Sequence, residues 1–304
     1  MAIVSVENLK MSYDKGRVKA LKGVTFDVEE GEIFGLIGPD GAGKTSLFRI
    51  LTTLLLADSG KAVVDGMDVV NDYKKIRRHI GYMPGRFSLY QDLTVEENLS
   101  FFATVFNTTI EENYHLVEDI YRQIEPFKKR KAGKLSGGMK QKLALSCALI
   151  HAPHVLFLDE PTTGVDPVSR KEFWEMLQKL KKNFKLSIVV STPYMDEALQ
   201  CDRIALIQDG QFLTIDTPEN IIRAYTQTLW SLRSDKMHRL LTDLRSIDGV
   251  KTAFAFGENH HATIDTSVLT VDSLRNRLVG LGHRNIVIEV VEPTIEDCFM
   301  NLQK

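Results

Sequence analysis

The residues from Gly38 to Thr45, GPDGAGKT, fit the pattern G-x-x-x-x-G-K-[ST]. Gly38, Gly41 and Gly43 let the backbone curl with its N–H groups inward, because glycine tolerates positive φ. Those donors and the positive end of a following helix make a cradle for an anion. Lys44 can reach the β- and γ-phosphates of a nucleotide, and the Thr45 hydroxyl can take a site on Mg²⁺. Pro39, Asp40, Ala42 and Ser46 complete the candidate loop. A glycine-rich turn that binds nothing is the plain alternative, and the flanks argue against it. Ile33, Phe34, Leu36 and Ile37 form a short apolar run typical of a buried strand, while Leu47, Ile50, Leu51 and Leu54 recur at helical spacing.

A second group with chemistry to offer is Asp159-Glu160, which follows the apolar run His154 to Leu158. The C-terminal edge of a strand is where doubly wound sheets bind ligands. Asp159 is placed to hold Mg²⁺ directly or through water, and Glu160 to polarise an attacking water as general base. Capping of the next turn is the structural alternative. A third group is Ser136-Gly137-Gly138, at the start of a helix whose buried stripe is Met139, Leu143, Cys147 and Ile150. It reads equally as an anion site and as a capped helix. Tyr13, from composition alone, reads as ordinary strand packing.

These groups need a scaffold. Ile3, Val4 and Val6 begin one strand, and Val24, Phe26 and Val28 alternate in another. Further strands are expected at Ala62 to Val64, Ile80 to Met83, Leu186 to Val190 and Ile204 to Ile207, the last closing the core. Thr94 and Glu97 fit a capping box, and the pattern stays helical to about Phe127. Val168 to Leu180 is an amphipathic helix, and Met195 to Leu199 another short one. The alternation predicts an α/β sheet protein over residues 1–218. Past Pro218 the order becomes βαββαβ, the split βαβ arrangement, with a final helix after Pro293. That predicts a separate accessory α+β domain over residues 219–304.

The length of 304 residues suits two domains, and 43% hydrophobic with 26% charged residues is ordinary globular composition. A net charge of −2 gives no nucleic-acid footprint, and the short runs Lys128 to Lys131 and Lys179 to Lys182 read as solvated helix faces or ends. Three scattered cysteines draw neither a metal site nor a disulfide framework, which favours a reducing compartment. No secretory signal is visible, and no apolar run reaches the about 18 residues that a membrane span needs. The chain reads as cytosolic.

With these pieces placed, the chain resembles the nucleotide-binding subunit of ABC transporters from Ile3 to about Pro218. GPDGAGKT, LSGGMKQ, VLFLDEPTTGVDP and STPYMDEA stand in that family's order and spacing. The resemblance implies a P-loop ATPase fold with a helical signature subdomain over about 86–150, and ATP and Mg²⁺ as cofactors. It implies that two such domains pair head to tail, with ATP between the phosphate loop of one and Ser136-Gly137-Gly138 of the other. Tyr13 then corresponds to the aromatic that stacks on adenine, and Asp166 to a residue at the dimer contact. ATP closes the pair, and hydrolysis aided by Glu160 reopens it and drives a membrane partner.

Two positions depart from the family. Gly85 stands where a glutamine usually contacts Mg²⁺ and the attacking water, and Pro193 where a histidine usually holds the γ-phosphate. Neither can perform those tasks, so slower or differently assisted hydrolysis is expected. The extension, with its EPTIEDCFM segment, resembles the type-2 exporter branch near the daunorubicin-resistance-like multidrug ATPases. That implies separately encoded six-helix permeases and a second ATPase domain, identical or paralogous. It also implies a cytoplasmic position, peripheral on the inner face of the cell membrane. Two alternatives stand beside this reading: a hydrolysis-degenerate nucleotide-binding partner, and a soluble ABC ATPase outside transport. One phosphate loop and near-neutral charge speak against the second.

Overall fold

Strands that read as unbroken apolar runs are buried on both faces, as parallel strands between helices must be. In the computed structural model, which describes residues 2–303, β3 (Ile33–Ile37) and β7 (Val155–Asp159) are buried at every position, and so is β8 (Ser187–Thr192). Together with β6 (Ile80–Met83) and β9 (Arg203–Gln208) they form the parallel part of a six-stranded sheet. Its order is β10-β9-β3-β8-β7-β6, with β10 (Gln211–Asp216) added antiparallel at one edge.

Strands that alternate lie instead in an antiparallel sheet, ordered β2-β1-β4-β5. It comprises β1 (Ala2–Tyr13), β2 (Val18–Glu29), β4 (Ser59–Val64) and β5 (Met67–Asp68). Leu21, Val24, Phe26 and Val28 of β2 point inward. They join one core with Phe48 of α1 (Lys44–Leu51) and Phe157 of β7, whose rings meet edge to face at 5.8 Å. Short helix α2 (Tyr73–His79) precedes β6. Four helices follow in the same unit: α3 (Val95–Val105), α4 (Ile110–Tyr121), α5 (Gly137–Leu149) and α6 (Pro167–Phe184).

Three expectations need correction. The stretch expected to be helical from Thr94 to Phe127 is two helices, because Asn107 takes a φ of +63° and Thr109 begins a new capping box. Ile207 does not close the core, since Asp209 and Gly210, at φ of +48° and +75°, turn the chain into β10. The segment Met195–Gln200 is a 3₁₀ helix.

The chain divides into two compact units, Met1–Pro218 and Glu219–Lys304. Helix α7 (Pro218–Arg223) spans the division. In the second unit the order is β11 (Thr228–Arg233), α8 (Met237–Ser246), β12 (Val250–Phe256), β13 (Asn259–Ile264), α9 (Val271–Gly280) and β14 (Val287–Val291), then α10 (Ile295–Leu302). Its antiparallel sheet runs β12-β13-β11-β14, the split βαβ topology. Leu240 and Leu244 of α8 and Leu274 and Leu278 of α9 close over Trp230, Ala253, Ala262 and Ile264. Each buried leucine contributes about 1.5–3 kcal/mol of hydrophobic stabilisation, which gives this small unit a core of its own.

Candidate functional site

The loop Gly38–Gly43 links β3 to α1, so it leaves the C-terminal edge of the parallel strands. The Gly38 amide donates to the Thr192 carbonyl at the end of β8, 3.3 Å away. Gly41 and Gly43 take φ of +80° and +108°, and a Cβ on Gly43 would collide with the Ala20 carbonyl oxygen. Gly43→Ala therefore combines strain at positive φ with a backbone clash. It is expected to cost about 1–3 kcal/mol of stability and to lose nucleotide binding, read by thermal melting and by titration with labelled ATP. Helix α1 begins at Gly43 without any side-chain cap, so its first N–H groups are presented to the loop's concave side.

Lys44 is almost fully buried and donates to the carbonyls of Gly38 at 2.8 Å and Pro39 at 2.9 Å. Its ammonium also pairs with Glu160 Oε1 at 3.1 Å. Thr45 Oγ1 donates to Asp159 Oδ1 at 3.2 Å, and Ser191 Oγ donates to the same oxygen at 2.7 Å. The loop and the acid pair, far apart in sequence, thus meet in one place. Thr45 and Asp159 offer the hard oxygen donors that suit Mg²⁺, and the uncapped helix end with Lys44 suits phosphate. Ser191 is a site neighbour that sequence reasoning missed. Its signal is its place at the end of the strand beside Asp159.

Glu160 holds a φ of +50°, rare for a residue with a side chain. Its amide donates to both the carbonyl and the hydroxyl oxygen of Ser191, which fixes it there. Burial first, and then the Asp159 charge, push the Tyr82 phenol up to about 12. Tyr82 therefore stays neutral beside the acids. Tyr13 ends β1 and lies with its hydroxyl 3.0 Å from Ser46 Oγ, so it stands at the loop with its ring about one-third exposed.

Ser136 caps α5 by accepting from the Met139 amide at 3.3 Å. A Cβ on Gly137 would touch the Gly164 carbonyl at 3.7 Å, and one on Gly138 would press on Ser169 Oγ at 2.7 Å. The Ser136-Gly137-Gly138 segment thus packs beside the loop that leads into α6, and no hydrogen bond among the described residues joins it to the phosphate loop of its own chain. Asp166 is spent capping α6, where the Ser169 amide at 3.0 Å holds its carboxyl below the usual range. Both departures border the acid pair or the loop. A Cβ on Gly85 would stand 3.0 Å from the Asp159 carbonyl oxygen, and Pro193 follows the Thr192 that binds Gly38.

The family described as ABC transporter matches residues 21–163 of this chain. The linearmycin resistance ATP-binding protein LnrL of Bacillus subtilis (strain 168) is 30% identical over 314 aligned residues, covering 99% of this chain and 98% of that protein. The chain belongs to the ABC transporter family. The "Probable multidrug ABC transporter ATP-binding protein YbhF" of Escherichia coli (strain K12) is 42% identical over 221 residues, 71% of this chain. The chain spans 38% of that protein's length. A solved dimer of the ATP-binding cassette MJ0796, in a post-hydrolysis state with ADP and Pi, aligns with a TM-score of 0.64 and 27% identity. It covers 70% of this chain and 98% of its own. The first unit of this ABC transporter chain is thus an ATP-binding cassette, of the ATPase fold that the resemblance implied.

Proposed function

We propose that the chain hydrolyses ATP as the engine of a multidrug-type export system, pairing head to tail with a second cassette and driving separate permease subunits. One observation carries it: Lys44, Thr45, Asp159 and Glu160 converge in one chain while Ser136-Gly137-Gly138 stays apart from them. A second cassette would complete the site by offering that segment across the pair. Lys44 turns from Glu160 to the phosphates, and Glu160, so released, accepts the proton of the attacking water. Thr45 and Asp159 would hold Mg²⁺, which neutralises charge on the β- and γ-phosphates. The loop Gly38–Gly43 donates its amides, Ser46 adjoins them, and Tyr13 stacks on the adenine.

No helix among the described residues is long and apolar enough to cross a membrane, so transport requires membrane subunits from elsewhere. A largely apolar cavity of about 410 Å³, lined by Tyr82, Gly85, Phe87, Phe102, Phe106 and Ala144, offers such a subunit a seat beside the acid pair. The relatives' names, multidrug and linearmycin resistance, support drugs as the class of cargo, and the chain would then work from the inner face of the cell membrane. The second unit serves as an accessory domain.

Phosphate release per chain should rise with protein concentration as pairs form. A turnover per chain that is measurable and independent of concentration would overturn the pairing. The bare contact of Gly85 with the Asp159 backbone favours one second reading, a degenerate partner. In that case ATP binds and phosphate release stays at background at every concentration.

A further inference from the structure

β6 and β7 pair in parallel, with Ile80 opposite Val155, so the residues just before them, His79 and His154, lie side by side. They stand at the N-terminal edge of these strands, whereas Asp159 and Glu160 lie at the other end of β7. The His154 amide donates to the His79 carbonyl at 2.8 Å, and the two rings meet at 4.9 Å and 68°. Asp65, in the turn between β4 and β5, reaches the same point. Its Oδ2 lies 2.7 Å from His79 Nδ1 and 2.9 Å from His154 Nδ1. Asp65 itself is fixed by its amide bond to the Ile3 carbonyl, 2.7 Å, at a φ of +52°.

Three chain segments thus deliver two imidazoles and one carboxylate, and their donor atoms all lie within 4.8 Å of one another. The backbone that places them is held by strand pairing, by the amide bond from His154 to His79 and by that from Asp65 to Ile3. Both rings turn the same nitrogen, Nδ1, to one oxygen. Once those nitrogens lose their protons, their lone pairs converge on a shared point. Imidazole nitrogen with one carboxylate is the donor set of Zn²⁺ and its neighbours, whereas Mg²⁺ and Ca²⁺ prefer oxygen throughout. With ligand bonds of about 2.0–2.2 Å in a tetrahedron, adjacent donors stand about 3.3–3.5 Å apart. Opening the 2.7 Å and 2.9 Å contacts by about 0.4–0.8 Å reaches that spacing. The rings are free to move so far, since the side chains of His79 and His154 are 41% and 59% exposed.

We propose that Asp65, His79 and His154 form a binding site for a divalent transition cation of the Zn²⁺ class. Held there, the cation clamps the antiparallel sheet, through Asp65, to the start of two core strands. Three protein ligands leave a coordination position for water, which makes the site exchangeable rather than sealed. This site is distinct from the nucleotide loop, so its test is separable from that of ATP turnover.

The experiment uses the full chain without an affinity tag, free of nucleotide and Mg²⁺, at about pH 8 where imidazoles are neutral. Zn²⁺ is titrated by calorimetry, Co²⁺ absorption reports coordination, and melting is followed with and without Zn²⁺. The expected result is one ion per chain, a Co²⁺ visible band of low symmetry, and a higher melting temperature with Zn²⁺. His79→Ala and His154→Ala should each weaken binding at least about tenfold and cancel the melting shift. Asp65→Asn, which keeps a residue tolerant of positive φ, should do the same while leaving the metal-free melting temperature near that of the wild type. All three variants should bind ATP as the wild type does. Absence of binding up to about millimolar Zn²⁺, or binding that persists in the His79→Ala/His154→Ala double variant, overturns the proposal.

Discussion

Glu160→Gln is expected to reduce phosphate release by about 10²–10⁴-fold, the usual contribution of a positioned general base, while ATP still binds. The amide keeps the volume of the carboxylate but cannot accept the proton of the attacking water. It also gives up the 3.1 Å ion pair with Lys44, so in the variant no carboxylate competes with the phosphates for that ammonium. ATP affinity should therefore hold or rise. Single-turnover phosphate release beside equilibrium binding of labelled ATP separates the two effects. A variant that still turns over within a few-fold of the wild type would remove Glu160 from the chemistry.

Lys44→Ala should act at the opposite step. The ammonium is the buried positive charge of the loop, held by two backbone carbonyls and Glu160. Without it, incoming phosphates meet the Glu160 carboxylate unneutralised and lose a charge-assisted contact. The expected cost is about 2–4 kcal/mol of binding, or about 30- to 1,000-fold in ATP affinity. The fold should survive, because the Glu160 side chain is 22% exposed and can rehydrate. Titration with labelled ATP reads the loss, and an unchanged melting temperature without nucleotide shows that folding is intact. An affinity within threefold of the wild type would contradict the assignment of Lys44.

The scaffold was readable where chemistry leaves little choice. β3, β7 and β8 are near-continuous apolar runs because both faces are covered, and the Gly-Lys-Thr turn sits where a strand meets a helix. The elements that sequence reasoning passed over lack that contrast. Helix α2, YKKIRRH, has Ile76 as its only buried residue, so no apolar stripe marks it. Strand β10 is half-exposed throughout, although the Asp209-Gly210 turn was a usable hairpin signal. Distances between remote segments were beyond reach. Nothing local says that Gly85 faces the Asp159 backbone or that Asp65 meets two histidines. Such meetings depend on strand order, which pattern alone does not specify.

The uncapped start of α1 also bears on how long the protein lasts. Donors that no side chain satisfies are open to an anion, so the phosphates of a nucleotide tighten the folded state without touching the unfolded one. By mass action, free nucleotide at 100 times its dissociation constant adds about 2.7 kcal/mol to folding. The resistance of this chain to heat and proteolysis therefore tracks the nucleotide pool around it. A cell whose adenine nucleotides are drained, rather than merely shifted from ATP to ADP, would hold a protein that is not merely idle but shorter-lived, and its recovery would then depend on fresh synthesis as well as on fuel.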